Sequence, residues 1–463
     1  MQHRSSSSPR PSLSSPRRKQ FRQMASAAAP SGASDHHSAR VQLSAVVLIS
    51  YSLMGIAESV LGPTLPELAL ESNQQVSLIA NAVTAFMLGN SAGSLLGGSL
   101  FDRFTVGQVA RMCAVCLLGN AAINALLPVA GHWQQLAALS LVNGVCSGFF
   151  RTGSNWLLLR TWAARQAGPF LQALHFGSGF GRLAAGLIAT RSLAVGKLRW
   201  AFWVPSILLS LAALGLAVVP TPPPLGAPKY DSSEQQQAAD AALCGWDFRR
   251  TRVMAALSLF TMLTMGVQNA FQFLLAAYAV LPPLHFDPSK AALLSTAFSG
   301  AFALGRLLAV PTAVRYASSS MLLGCCLGVA LSVLAMQFFI ESSTVLWLSA
   351  VTVGISISPV FPSTLACAGQ LIGTGSVSGV QLSVLMFAGT LGGAGLPLLV
   401  GKYLDAVSSN PKLMVSWLLA CAAGALGVLY VLLGGGEADS PAEGTSDDSH
   451  EKEQGVALLA LEV

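Results

Sequence analysis

Twelve apolar segments recur along the chain, at about 42–65, 76–100, 108–130, 134–158, 166–189, 199–219, 252–276, 290–313, 319–340, 344–368, 376–401 and 412–434. Each is close to the roughly 20 residues a helix needs to cross a bilayer. In lipid every backbone N–H and C=O must find its partner inside the structure, so segments of this length are helices. Charged residues make up only 10% of the chain against 53% apolar ones, too few for an ordinary water-facing surface. The expected fold is all-α: a polytopic membrane protein with twelve transmembrane helices in two pseudo-symmetric six-helix bundles. The polar stretch 220–251, which opens Pro-Thr-Pro-Pro-Pro, divides six spans from six. The expected organisation is a disordered basic tail (1–40), an N-terminal bundle (41–219), a cytosolic linker (220–251), a C-terminal bundle (252–434) and a disordered acidic tail (435–463).

An internal repeat supports the division. Residues 93–104 read Gly-Ser-Leu-Leu-Gly-Gly-Ser-Leu-Phe-Asp-Arg-Phe, and residues 305–316 read Gly-Arg-Leu-Leu-Ala-Val-Pro-Thr-Ala-Val-Arg-Tyr. The glycine, the Leu-Leu pair, the arginine ten residues on and the final aromatic recur, and both copies lie between two apolar spans. A glycine-bearing helix that ends in a charged turn suits close packing in lipid and marks the water interface. Its recurrence points to two related halves.

Basic residues set the orientation. Seventeen Lys and Arg fall on the side that holds both tails and six on the other, which places both termini in the cytosol. A plasma-membrane location is expected, with an organelle membrane as the alternative. No apolar core precedes residue 41, so the tail is not read as a secretory signal, although its Ser- and Arg-rich composition also suits a transit segment.

Few ionisable groups remain inside the spans: Glu58 in span 1, Arg151 in span 4, His175 and Arg182 in span 5, and Arg306 in span 8. A charge at mid-bilayer costs at least about 2.5–3.5 kcal/mol, so each needs a partner or a wet cavity. Arg151 and Asn155 lie four residues apart and share a helix face, and Gln172, His175, Gly179 and Arg182 form a second stripe. Gln268 and Gln272 share a face of span 7, with Asn269 beside them. These stripes are expected to line a central cavity for a small polar solute. The alternative is that Glu58 and an arginine form a buried latch between helices. Arg306, near the end of its span, suits a gate or a snorkelling position, and Asp102, Arg103 and Arg315 suit gating clamps.

The chain lacks a phosphate-binding Gly-x-x-x-x-Gly-Lys-[Ser/Thr] loop and a His-Glu-x-x-His pair. An enzyme is therefore not expected. No cofactor or metal is expected beyond a coupling cation, sodium or proton. Nucleic acid is not expected despite the net charge of +6, because the basic residues belong to the orientation bias and one tail. The Cys113-x-x-Cys116 pair sits one turn apart in a span and carries little redox signal. A monomer is expected, with the lipid bilayer and the solute as its partners.

The stretch Gly98-Ser-Leu-Phe-Asp102-Arg103 resembles the Gly-x-x-x-Asp-Arg signature that the major facilitator superfamily carries between spans 2 and 3. The usual Gly-Arg-Arg continuation is replaced by Phe104-Thr-Val-Gly107. Four stretches resemble the sodium-dependent glucose transporter branch, related to the fucose permeases: 61–68 (Leu-Gly-Pro-Thr-Leu-Pro-Glu-Leu), 170–176 (Phe-Leu-Gln-Ala-Leu-His-Phe), 305–308 (Gly-Arg-Leu-Leu) and 360–363 (Val-Phe-Pro-Ser). The resemblance implies a secondary transporter working by alternating access on a sugar such as a hexose. Branch members tend to carry acids where Arg151 and Gln268 stand, and a small residue where Arg182 stands. These departures bring sodium coupling into question. They leave an organic-anion transporter, or a transport-inactive receptor or scaffold on the same fold, as the alternatives.

Overall fold

The computed structural model describes residues 31–72, 81–162, 166–222, 248–372, 377–402, 410 and 412–437. We number its helices α1 (Ser31–Glu71), α2 (Asn81–Phe101), α3 (Val106–Leu126), α4 (Trp133–Thr161), α5 (Ala167–Ala194), α6 (Leu198–Val218), α7 (Phe248–Val280), α8 (Pro288–Arg315), α9 (Ser318–Phe338), α10 (Ser343–Ile357), α11 (Val360–Leu371), α12 (Gly379–Lys402) and α13 (Lys412–Glu437). These form the twelve spans. The tenth is broken at Ser358 and Pro359 into α10 and α11, where a proline supplies no N–H to the helix ladder. No strand occurs among the described residues.

Three boundaries differ from the sequence expectation. α1 begins at Ser31 rather than near residue 41, α7 begins at Phe248, and α13 runs to Glu437. Residues 1–30, most of the linker (223–247) and 438–463 lie outside the described residues. Among the described residues, nine helical segments are long and apolar enough to cross a membrane unaided, and α2, α4 and α5 are not among them. Those three carry the glycine-rich contacts and the polar stripes of the first half. Their contacts with protein supply what their hydropathy lacks.

The helix pairings repeat between the halves. In the first half α2 packs on α4, α1 on α5, α3 on α6, and α1 on α6. In the second half α8 packs on α10, α7 on α12, α9 on α13, and α7 on α13. Each pair maps onto its counterpart six spans later. The sequence repeat acquires a structural meaning here. Gly93 of α2 lies against the backbone of Val145 in α4, and Gly305 of α8 lies against the backbone of Ile355 in α10. In both positions a Cβ would collide with main chain. Gly89, Gly144 and Gly148 extend the α2–α4 seam in the same way, and helices in lipid gain their contact by such backbone approach.

The two bundles meet through α5 with α8 and through α2 with α12, supplemented by α5 with α11 and α4 with α12. The first two pairs exchange under the same six-span shift. The hydrogen bonds between the bundles described below lie towards the end of the molecule that carries Asp102. Farther from that end, Gly186 of α5 and Gly300 of α8 have nothing near the position of a Cβ. The structure is thus held shut at the Asp102 end.

Candidate functional site

The Asp102 latch closes one end. The helix α2 stops at Phe101, and backbone bonds from Arg103 N–H to Leu100 O (3.0 Å) and from Phe104 N–H to Phe101 O (3.1 Å) make the turn. Thr105 then starts α3 with a reciprocal cap. Its hydroxyl accepts from the Gln108 N–H, and the Gln108 side chain accepts from the Thr105 N–H at 2.9 Å. This cap satisfies orphan donors at the helix start and explains how Phe104-Thr-Val-Gly107 can stand in for the usual basic continuation.

The turn presents Asp102 to both bundles. One carboxylate oxygen accepts from Trp156 Nε1 (3.2 Å) and from Arg160 Nη2 (3.1 Å), both on α4. The other accepts from the Gly379 N–H at 2.6 Å. Gly379 is the first residue of α12, so the carboxylate sits at a helix N-terminus, where the dipole favours an anion. Gly98 and Gly379 face each other across the same crossing, and Ser383 Oγ donates to Ser94 O at 2.7 Å. The clamp therefore pairs Asp102 with Arg160 and Gly379 rather than with Arg103. Arg103 and Arg315 are exposed at that end of the molecule.

A second tier lies deeper. Gln172 Nε2 donates to Pro359 O (3.1 Å) and Ser363 Oγ (3.0 Å), joining α5 to the break in the tenth span. Arg306 of α8 donates from Nη1 to His175 O at 2.6 Å and covers the Phe302 ring at 4.5 Å. Arg306 is 5% exposed, so it pins the bundles together and does not snorkel. Above these contacts runs an aromatic floor. Phe150 and Tyr51 approach at 6.3 Å between ring centres, Tyr51 meets the His175 ring edge-on at 5.7 Å, and His175 meets Phe361 edge-on at 5.4 Å.

The charged pair belongs to the first bundle. Gly55 of α1 lies against Ser178 O of α5, and Gly177 and Gly181 of α5 meet Ser52 in return. This close crossing carries Glu58, nearly one turn beyond Gly55, to α4. There Arg151 Nη2 donates to Glu58 Oε2, with the two side chains 23% and 10% exposed. Arg182 lies within electrostatic reach of Arg151, Glu58 and Tyr51. Unlike the buried Arg306, it is exposed. Its helix face also carries His175 and Gly179, which adjoin Arg306. The exposed guanidinium thus looks into the space between the bundles.

Several polar atoms around the pair are buried without a hydrogen-bond partner: Tyr51 Oη, Glu58 Oε1, Arg151 Nε, His175 Nε2 and Arg306 Nε. Buried polar groups are ordinarily partnered, so a cluster of orphans marks a place where a solute or water completes the bonding.

The remaining lining expectations divide. Gln268 is half-buried on α7, and Gln272 is exposed and approaches Ser299 Oγ at 3.4 Å. Three amides expected in the lining are committed to helix contacts instead. Gln172 bridges the bundles as described, Asn155 Nδ2 donates to Arg151 O (2.9 Å), and Asn269 Nδ2 donates to Gly393 O of α12 (3.0 Å). In each case a backbone carbonyl accepts from the amide nitrogen, while the side-chain oxygens of Gln172 and Asn155 stay buried without a hydrogen-bond partner. Tyr51, Phe361, Ser363 and Gly379 are site residues that sequence reasoning does not single out. Tyr51 carries a detectable signal, since it lies seven residues before Glu58 and so on the same face of α1.

Comparison with known proteins agrees with this architecture. A chain from Xenopus laevis named sodium-dependent glucose transporter 1 is 28% identical over 379 residues, covering 78% of this chain and 75% of that one. Its Danio rerio namesake is 28% identical over 431 residues, covering 84% and 69%. The crystal structure of FucP, a Major Facilitator Superfamily transporter in its outward conformation, superposes with a TM-score of 0.69 at 16% identity, covering 85% of this chain and 99% of that one. The model of the Major Facilitator Superfamily matches residues 47–394. With the match spanning most of the chain and both bundles, this multi-pass membrane protein belongs to the Major Facilitator Superfamily of transporters.

Proposed function

We propose that the chain moves a sugar, or a small polar solute of similar size, by alternating access. The solute sits between the bundles on the aromatic floor of Tyr51 and His175. The observation that carries the reading is the cluster of unpartnered buried polar atoms around the Glu58–Arg151 pair, deeper in the bundles than the shut Asp102 end. Donors and acceptors of this kind suit hydroxyl groups, and the glucose in the names of the relatives is a solute of that chemistry. The basic-residue bias puts the Asp102 end in the cytosol, so the shut end is the cytosolic one. The latch at Asp102 and the pin at Arg306 then break when the carrier turns inward.

Entrance counterflow tests the proposal whichever ion, if any, drives transport, because exchange needs no ion gradient. Proteoliposomes loaded with unlabelled D-glucose should accumulate labelled D-glucose above protein-free vesicles. A reductant-cleavable bis-thiosulfonate tether between cysteines placed at the exposed Ser99 and Val380, across the shut end, should stop the exchange, and reductant should restore it. Exchange that continues through the tether would rule out rocking about this site.

A further inference from the structure

We propose that the solute is a sugar acid and that Arg182 receives its carboxylate. This rests on the sugar reading above and narrows it to a monoanion. Among the described residues inside the spans, three guanidinium groups, Arg151, Arg182 and Arg306, face a single carboxylate, Glu58. The other acids stand at helix ends. Arg151 is neutralised by Glu58. Arg306 is buried, with its charge answered by a backbone carbonyl and an aromatic face. Arg182 has no carboxylate within ion-pair distance among the described residues, and it is exposed. It lies on the face that points between the bundles, one turn short of Gly186, which has open space beside it.

A cation held in a cleft bounded by protein and lipid calls for a counter-charge. The planar guanidinium matches a carboxylate with two parallel N–H···O bonds, a geometry that a hydroxyl cannot reproduce. The remainder of the site fixes the number of charges. Glu58 Oε1, Tyr51 Oη and His175 Nε2 are unpartnered, and Glu58 can only accept. They suit the hydroxyls of a sugar ring, whereas a second carboxylate would be set against Glu58. A hexuronate, one carboxylate on a hydroxylated ring, satisfies both parts, while a dicarboxylate and a neutral hexose each satisfy one.

The test compares D-glucuronate with D-glucose in entrance counterflow through proteoliposomes of the full chain. A hydrogen bond to a charged group contributes about 1.5–3 kcal/mol, which corresponds to roughly 10- to 150-fold in affinity. D-Glucuronate is therefore expected to show a KM at least about tenfold below that of D-glucose. Arg182→Gln should erase the preference, and Arg182→Lys should retain part of it because the charge persists without the bidentate fork. Equal or greater preference for D-glucose in the unaltered protein overturns the inference, as does an undiminished preference for D-glucuronate in Arg182→Gln. Should Arg182→Gln fail to fold, the comparison in the unaltered protein decides alone. Exchange of D-glucose without D-glucuronate leaves the sugar reading standing and removes the acid. Exchange of neither overturns both.

Discussion

Replacing Gly98 by alanine should open the shut end. A Cβ on Gly98 would stand 2.6 Å from Ser383 Cβ and still closer to the Gly379 carbonyl. Carbon atoms in contact sit about 3.5–4.0 Å apart, so the shortfall is about 1 Å. Ser383 could turn its hydroxyl away, but its Cβ and the Gly379 backbone cannot follow. Relief requires α2 and α12 to separate, which stretches the Gly379 N–H bond to Asp102 (2.6 Å) and the Ser383 bond to Ser94 O (2.7 Å). Overpacking of this kind costs about 1–3 kcal/mol. The crossing exists only while this end is shut, so the cost falls on that state and shifts the conformational equilibrium about 5- to 150-fold. Pulsed electron spin resonance between labels at Ser99 and Val380, in a background freed of the eight native cysteines, reads the shift as a longer-distance population. Gly93→Ala is the control. Its Cβ would meet Val145 Cα at 2.9 Å inside one bundle, which lowers the Tm without moving the distance distribution. An unchanged distribution in Gly98→Ala would refute the idea that this crossing holds the end shut.

Three further outcomes are expected. Glu58→Gln leaves the half-buried Arg151 without its counter-charge and should destabilise the fold by up to about 3 kcal/mol, seen as a lower Tm in detergent; Glu58→Gln with Arg151→Gln should recover most of the Tm but not the transport. Asp102→Asn removes the charge at the α12 N-terminus and the Arg160 ion pair, so about 0.3–1 kcal/mol of support for the shut end is lost, and the same spin labels should report a smaller shift than Gly98→Ala gives. Gln172→Ala leaves the bundles without their amide bridge to Pro359 O and Ser363, and should raise the rate of labelling at the Asp102 end while leaving the Tm within about 1 kcal/mol equivalent.

Spans, halves and the charged pair are legible in the sequence because each follows from a local rule: apolar length, a recurring motif, an acid with no rival in the membrane. That Glu58 meets an arginine needs only the absence of other acids; that the arginine is Arg151 and not Arg182 is seen in the structure alone. The pairing of Asp102 with Gly379 cannot be read, since the donor is a backbone N–H across the bundle interface and leaves no mark on residue type. The same holds for Arg306, which is legible as a charge near a helix end and whose acceptor, His175 O, is again main chain. The amides mislead for a related reason. Gln172, Asn155 and Asn269 lie on polar faces, but a nearby carbonyl or hydroxyl claims each one, and periodicity does not distinguish a lining amide from a bridging one. The early start of α1 at Ser31 is equally hidden, because hydropathy marks where a helix enters lipid and not where it begins.

Alternating access on a charged solute requires the arginine face of α5 to look onto water between the bundles. Labelling Arg182→Cys, in a background freed of native cysteines, with a membrane-impermeant thiosulfonate measures this directly. The expected result is reaction from the side opposite Asp102. Reaction only with membrane-soluble reagents would place position 182 against lipid and contradict it.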